Sequence, residues 1–241
     1  MLELKAIHWK TPDGEEIVKG VDLKVSQGKL TVITGPNGGG KTSIAKLIAG
    51  LETPTAGNIY LENQDITGMD ITQRALAGIA YAFQQPVRFK GLTVKDLLEL
   101  AAGRTMTEEE ICQTLGKVGL CTKEYIHRTI DSSLSGGESK RIEIASVLAR
   151  KNAKVLVFDE PEAGIDLWSF ASLIDAFKAL KEEQNGALLV ISHQERILEI
   201  ADDIVVIADG KVRVAGNREV ILPRLLKDEK QITCPLGKAG L

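Results

Sequence analysis

The sequence predicts an α/β fold with a mixed sheet at its core, an antiparallel β-layer near its N-terminus and a helical insertion in its middle. Apolar runs typical of buried strands alternate with amphipathic helical stretches, which is the pattern of a parallel sheet with right-handed crossovers. Two strand-like segments near the N-terminus are joined by a turn, and the region 86–151 shows helical periodicity alone. The 241 residues are enough for one domain with an ample core.

The elements follow from apolar period and turn residues, taken in chain order. The predicted strands are 2–9, 18–25, 30–34, 58–61, 79–83, 155–158, 187–192 and a hairpin over 204–214. The predicted helices are 42–51, 70–77, 93–102, 107–118, 137–150, 167–182 and 217–226. Thr107 and Glu110 form a capping box, and Thr93 can cap the helix before it. We expect a single domain over 1–241, with a core at 1–85 and 152–226, a helical subdomain at 86–151 and an unassigned tail at 227–241.

The segment 35–43 reads GPNGGGKTS and directly follows the apolar strand 30–34. It fits the P-loop pattern and lies between a strand and a helix, as that pattern requires. Glycines let successive backbone N–H groups point at a phosphate, and the helix adds its positive N-terminal end. We therefore predict a nucleoside triphosphate site rather than a simple glycine-rich turn, in which Lys41 reaches the β- and γ-phosphates and the Thr42 hydroxyl holds Mg²⁺. The predicted binding residues are Gly35, Pro36, Asn37, Gly38, Gly39, Gly40, Lys41, Thr42 and Ser43.

Two carboxylates, Asp159 and Glu160, follow the apolar strand 155–158. Ligands of α/β sheets bind at the carboxyl ends of the strands. Hydrolysis of a phosphoanhydride needs one carboxylate for Mg²⁺ and a neighbour that polarises the attacking water. We assign Asp159 to the metal and Glu160 as the general base.

The segment 134–138, LSGGE, opens a later helix with a serine and two glycines. Such a helix start can bind an anion, although read alone it is also a flexible cap. Two such starts in one chain could bind two phosphates, or each could share one with a second copy of the chain.

Together these segments resemble the ABC-type ATPases, whose nucleotide-binding domain works as a head-to-tail dimer. GPNGGGKTS resembles that family's Walker A motif, VLVFDE its Walker B motif and LSGGE its signature. The resemblance covers residues 2–216. It implies that each ATP lies between the Walker motifs of one subunit and Ser135, Gly136 and Gly137 of the other, so that hydrolysis requires dimer closure.

The same resemblance implies roles for four further residues. Gln84, two residues before Pro86, matches the Q-loop glutamine that touches Mg²⁺ or the attacking water. His193 matches the switch histidine at the γ-phosphate, and Asp166 the D-loop aspartate that couples the two sites. Trp9 lies where the family has an aromatic residue that stacks on adenine, although it could also simply pack on a strand face.

Four local sequences resemble the cytosolic ATPase of the SUF iron–sulfur cluster assembly system: EAGID at 162–166, HQERIL at 193–198, FQQPV at 83–87 and SKR at 139–141. The chain departs from it at Leu134, where an aromatic residue is expected, and in a short insertion between Gln84 and Leu134. The resemblance implies a soluble iron–sulfur scaffold protein as the partner, bound through the helical insertion and the region 86–98. The alternative is a transporter nucleotide-binding subunit, whose same groove would hold a coupling helix of a membrane protein. Glu160 and His193 argue against a third class, a module that closes on ATP without turnover.

Composition excludes several other classes. No apolar run approaches the ~20 residues of a membrane helix, so we expect no direct membrane insertion. A net charge of -3, without a basic block, argues against a nucleic-acid partner. Cys112, Cys121 and Cys234 have no metal-ligand spacing, which indicates buried thiols in a reducing, cytoplasmic compartment.

Overall fold

A computed structural model describes residues 1–85, 89, 91–183 and 186–231 of the chain. The strands in this part are β1 (Leu2–Lys10), β2 (Glu16–Val25), β3 (Leu30–Thr34), β4 (Ala56–Leu61), β5 (Gln64–Asp65), β6 (Ile79–Ala82), β7 (Val155–Asp159), β8 (Ala187–Ile191), β9 (Asp203–Ala208) and β10 (Lys211–Asn217). The helices are α1 (Lys41–Ala49), α2 (Ile71–Ala77), α3 (Val94–Ala102), α4 (Glu108–Lys117), α5 (Thr122–Tyr125), α6 (Gly136–Leu148), α7 (Leu167–Glu183), α8 (Glu195–Ile200) and α9 (Arg218–Gln231).

The strands form two sheets, as the sequence predicts. The larger sheet has the order β10-β9-β3-β8-β7-β6, in which β10 is antiparallel to β9 and every other neighbouring pair is parallel. The smaller sheet, β2-β1-β4-β5, is antiparallel throughout. The strands β3, β7 and β8 are buried at every position, as expected for parallel strands covered on both faces. The mixed core sheet and the antiparallel β-layer are therefore confirmed.

Two hydrophobic cores hold the layers together. Helix α1 lies between the two sheets, where Ile44 and Leu47 share a core with Ile33 of β3 and Val21 of β2. The other face of the larger sheet packs against the long helices, with Phe158 of β7 in edge contact with the Phe177 ring of α7. Since β3, β6, β7 and β8 run parallel, their carboxyl ends meet at one edge of the sheet. The P-loop and both predicted catalytic carboxylates lie at that edge.

A fully buried arginine holds the C-terminal end of α1. The Arg74 guanidinium donates to the carbonyl oxygens of Leu47 and Ile48 in the last turn of α1. It also donates to Met69 O at 3.0 Å and Thr67 O at 2.8 Å. Carbonyls in the last turn have no partner within the helix, so the cation satisfies them and complements the negative end of the helix dipole. The helix that follows the P-loop is thus fixed at its C-terminal end, opposite the P-loop.

The helical insertion follows β6 in the chain and ends where β7 begins, and it contains the predicted capping boxes. Thr93 with Asp96 caps α3, and Thr107 with Glu110 caps α4. The division of the chain into a core, a helical subdomain and a tail stays a prediction. No helix in the described ranges is long and apolar enough to cross a membrane.

Three short elements, β5, α5 and α8, are absent from the prediction because two to six residues are too few to show a period. The predicted last helix is too short: α9 continues to Gln231, through the first part of the predicted tail. The residues 227–231 read KDEKQ, which lacks an apolar period but contains good helix formers. The predicted burial of Cys112 and Cys121 is also wrong, because both are exposed free thiols, whereas Cys234 lies outside the described residues.

Candidate active site

The P-loop bends where only glycine fits. Gly35 has φ of +130°, and a Cβ there would come within 2.1 Å of the Ile207 carbonyl oxygen of β9. Gly40, with φ of +99°, is the N-cap of α1 and has no side chain to accept from the first turn. The first-turn residues of α1 line an open cleft. This helix start therefore presents its backbone donors to an anion.

Lys41 folds back over the loop. Its Nζ atom donates to the carbonyl oxygens of Gly35 and Pro36, each at 2.8 Å. Burial lowers the pKa of Lys41, and the nearby Glu160 and Asp159 oppose that shift. Phosphate oxygens entering the cleft would replace the two carbonyls as acceptors and would pair the ammonium with a full negative charge.

Two of the three predicted metal residues, Thr42 and Asp159, are in contact, whereas the third, Gln84, bonds Glu160. Thr42 Oγ1 donates to Asp159 Oδ1 at 3.2 Å, and Tyr81 Oη donates to Asp159 Oδ2 at 3.1 Å. Asp159 is fully buried, and this burial raises its pKa, although the two hydroxyl donors oppose the rise. A hydroxyl and a carboxylate are the hard oxygen donors that Mg²⁺ prefers, with phosphate oxygens and water completing its shell. The residues present therefore fit this ion.

Glu160 has an uncommon backbone conformation at the end of β7. Its φ is +45°, in the left-handed region that non-glycine residues rarely adopt. Its backbone N–H donates to Ile191 O at 3.0 Å, and its Oε2 accepts from Gln84 Nε2 at 2.6 Å. Such backbone strain is concentrated at functional sites. The structure thus brings together the predicted base and the predicted Q-loop glutamine.

Most of the predicted site residues line one cleft of about 510 Å³. Its described lining residues are Trp9, Thr11, Ile17, Asn37, Gly38, Gly39, Gly40, Lys41, Thr42, Ser43, Gln84 and Glu160. Trp9 lines the same cleft as the first turn of α1 and also packs against the hydrophobic core that contains α1. The prediction does not include Thr11, in the turn before β2, or Ile17, in β2, because neither residue belongs to a motif.

His193 lies on the other side of the P-loop. It is exposed and lines an adjoining cavity of about 450 Å³, together with Gly35 and Pro36. The preceding residue, Ser192, is fully buried and donates from Oγ to Glu162 Oε1 at 2.5 Å. This bond fixes the chain just before the histidine. His193 is therefore next to the P-loop but does not line the cleft that contains Glu160.

The second predicted anion site is separate from this cleft. Ser135 caps α6 by accepting from the Glu138 backbone N–H at 3.2 Å, and Glu138 accepts in return from Ser135 N–H at 2.7 Å. Ser135 and Gly136 are exposed, and Gly137 packs closely against the Gly164 carbonyl. None of these residues lines the cleft among the residues that the structure describes.

Asp166 is exposed and accepts from Ser169 at the start of α7, at 3.0 Å from the backbone N–H and at 2.7 Å from the hydroxyl. It therefore stabilises a helix start in this structure. It too lies outside the P-loop cleft.

Three residues have no site role predicted from the sequence: Tyr81, which donates to Asp159, and the pair Lys140 and Glu143, which bind the backbone at Phe83 and Gln84. Tyr81 and Lys140 contact the site residues Asp159 and Gln84, and Glu143 contacts Phe83 next to Gln84. No motif marks these contacts, because each joins residues that are far apart in the chain.

Comparisons with known proteins agree with this geometry. Residues 18–163 match the family model described as ABC transporter. An uncharacterized ABC transporter ATP-binding protein of Methanocaldococcus jannaschii is 39% identical over 210 residues, which cover 84% of this chain and 83% of that protein. A probable ATP-dependent transporter of Synechocystis is 33% identical over 225 residues, 87% of each chain. Among solved structures, a dimeric ATP-binding cassette in a post-hydrolysis state with ADP and Pi has a TM-score of 0.80 at 24% identity, covering 90% of this chain and 99% of that one. This last likeness shows the fold.

Proposed function

This chain belongs to the family of ABC transporter ATP-binding domains, ATPases that use ATP with Mg²⁺, and from that premise we propose how its own residues divide the work. One observation carries the proposal: Lys41, Gln84 and Glu160 line the same cleft. The signature residues 135–137 do not line it. ATP binds this cleft, and a second copy of the chain supplies the missing face.

The binding roles follow from the contacts. The first turn of α1 and Lys41 hold the β- and γ-phosphates, and Trp9 stacks on the adenine. Thr42 and Asp159 hold Mg²⁺, assisted by Gln84, and the ion when bound would neutralise charge on the phosphate oxygens. Tyr81 keeps Asp159 oriented through its hydroxyl.

The chemical step uses the carboxylate of Glu160, which lines the cleft. Glu160 takes a proton from water, the water oxygen bonds to the γ-phosphorus, and the bond from that phosphorus to the β,γ-bridging oxygen breaks. The products are ADP and phosphate. Gln84, whose amide already contacts Glu160, orients the water, and His193 contacts the γ-phosphate from the other side of the P-loop.

The signature residues act on the ATP of the other subunit. Ser135 and Gly136 are exposed at the start of α6, so they are available to a partner. A head-to-tail dimer places them against the γ-phosphate bound by the partner's P-loop, and Asp166 couples the two sites. The solved cassette described above is itself a dimer, which supports this arrangement.

For the partner, we propose a soluble iron–sulfur scaffold protein of the SUF type in the cytoplasm, because four local sequences resemble the ATPase of that system. The proposed docking region, 86–98, includes residues 86–88 and 90, which lie outside the described part of the chain. The C-terminal end of α3, which follows this region in the chain, lines a groove of about 590 Å³ between the ends of α2, α3 and α6. Leu76 and Leu100 on this groove are 83% and 65% exposed, so the groove offers two large apolar side chains to a partner.

A transporter subunit is the second candidate, favoured by the names of both relatives described above. In that case a coupling helix of a membrane protein occupies the same groove. Turnover cannot separate the two candidates, because both use the same site residues.

Anaerobic co-purification from the native source separates them. We expect a soluble scaffold protein to be recovered, and we expect Leu76→Asp combined with Leu100→Asp to lose it while ATP binding persists. Val220→Asp, which alters an exposed apolar residue on α9, is the matched control and should retain the partner. Recovery of a multi-spanning membrane protein with no soluble scaffold would instead establish the transporter.

A further inference from the structure

Helix α6 carries a buried ion pair shortly after the signature residues. Lys140 Nζ lies 3.2 Å from Glu143 Oε2, and their side chains are 0% and 12% exposed. Taking two charges out of water is costly, and apolar residues of similar volume often serve as well. Burial raises the pKa of Glu143, and Lys140 opposes that rise. The pair therefore needs an explanation beyond stability alone.

Both members of the pair bind the backbone of the Q-loop. Phe83 N–H donates to Glu143 Oε1 at 2.8 Å. Lys140 Nζ donates to the carbonyl oxygen of Phe83 and, at 3.4 Å, to that of Gln84. The ion pair thus binds the backbone N–H of Phe83 and the carbonyl oxygens of Phe83 and Gln84. We name this arrangement the Q-loop clamp.

The clamp connects two parts of the ATPase cycle. Ser135 begins α6, and the clamp lies in the next two turns of the same rigid helix. Beyond the clamp, the Gln84 amide donates to Glu160 at 2.6 Å. A continuous series of contacts therefore runs from the residue that meets the partner's ATP to the base of this subunit's own site.

We propose that Lys140 and Glu143 are positioning residues, which place Gln84 and Glu160 for hydrolysis according to the position of α6. The inference rests on the proposed roles of Gln84 and Glu160. When the second copy docks on Ser135 and displaces α6, the clamp moves the Q-loop backbone with it. Neither clamp residue lines the P-loop cleft, so the clamp governs turnover rather than nucleotide affinity.

A double-mutant cycle with Gln84 tests this role. Because a misplacement of about 1 Å can cost about 100-fold in rate, we expect Lys140→Met to lower kcat about 10- to 100-fold. The KM for ATP should change less than about 3-fold, since the phosphate-binding residues remain intact. In the Gln84→Ala background, Lys140→Met should lower kcat no further, because its effect passes through Gln84. A further loss in that background, equal to the loss in the wild type, would overturn the proposal, since a structural role alone predicts that result.

Lys178 and Asp175 offer a matched control: another i, i+3 pair, on α7, exposed and distant from the Q-loop. Lys178→Met should leave kcat unchanged. If Lys140→Met does not fold, as judged by circular dichroism and thermal unfolding, Glu143→Gln takes its place in the same cycle. This milder variant keeps an acceptor for Phe83 N–H but removes the charge that holds Lys140.

The two single variants also separate the inference from the proposed function. Wild-type turnover by Gln84→Ala would overturn both the role of Gln84 and the clamp that acts through it. A low kcat for Gln84→Ala, with wild-type turnover by folded Lys140→Met and Glu143→Gln, would overturn the clamp alone.

Discussion

Glu160 shows at the scale of one residue how this fold prepares a catalytic group. Its left-handed φ and its backbone bond to Ile191 point the side chain into the cleft, where the Gln84 amide holds it. Glu160→Gln preserves the size and the acceptor but removes the basic oxygen. We expect ATP binding to persist, kcat to fall about 10²- to 10⁴-fold, and the ATP-bound dimer to accumulate on gel filtration. Wild-type turnover by this variant would remove Glu160 as the base.

Alanine substitutions at Gly35 and Gly38 distinguish two ways in which a side chain destabilises the P-loop: backbone strain and steric overlap. Both have positive φ, but a Cβ on Gly35 would overlap Ile207 O, whereas a Cβ on Gly38 would meet nothing within 4 Å. We expect Gly38→Ala to lower the free energy of unfolding by about 1–2 kcal/mol, the cost of a left-handed alanine. Gly35→Ala should cost about 2–5 kcal/mol, because the steric overlap adds to it. Urea unfolding without nucleotide measures both, and equal losses would contradict the close approach of the loop to β9.

At the scale of one element, the start of α6 is stabilised by the Glu138 carboxylate of its capping box. Glu138 accepts from the Tyr125 hydroxyl, the Ser135 N–H and Arg128, and these bonds lower its pKa to about 2 from an ordinary value of 4.5. A carboxylate whose pKa is lower in the folded state stabilises the fold above its unfolded pKa, and this stabilisation is lost as pH falls through the folded value.

We therefore expect Glu138→Ala to reduce the free energy of unfolding most above about pH 5. The difference from wild type should shrink by roughly half or more by pH 3. Urea unfolding of both proteins between pH 7 and pH 3 measures this difference. If it stays constant across that range, Glu138 stabilises α6 without using its charge.

The long periodic elements could be predicted from the sequence because their signals are local. The observed α7, Leu167–Glu183, begins where the prediction begins and ends one residue later. The hairpin of β9 and β10 follows from Asp209-Gly210, both of which have positive φ. Short α5 and α8 could not be predicted, because four to six residues hold too little of a helical period.

Some residues of the candidate site could be predicted from local sequence, and others could not. The P-loop and the two carboxylates could be predicted because glycines, an apolar strand and acidic residues lie next to each other in the chain. Arg74, Tyr81 and Lys140 could not, because each acts on a group that is distant in sequence and carries no signal of the contact. A buried cation in a helix looks like any other helical lysine or arginine until its acceptors are known.

At the scale of the whole molecule, we propose that one chain contains halves of two different ATP sites. The P-loop, Lys41 and Glu160 line one cleft, while Ser135 lies outside it at an exposed helix start. In the proposed head-to-tail dimer, two copies would form two complete sites between them. The ATPase rate per subunit should therefore rise with protein concentration until dimers form.

Complementation between two inactive variants tests this claim most directly. Lys41→Ala disables the P-loop and keeps the signature, whereas Ser135→Arg keeps the P-loop and blocks the signature. In a mixed dimer, one of the two sites combines the intact halves. We predict that each variant alone hydrolyses almost no ATP and that an equal mixture recovers about a quarter of the wild-type rate, because half of randomly paired dimers are mixed and each has one intact site. A mixture no more active than its parts, or wild-type hydrolysis by Ser135→Arg alone, would contradict a site shared between two chains.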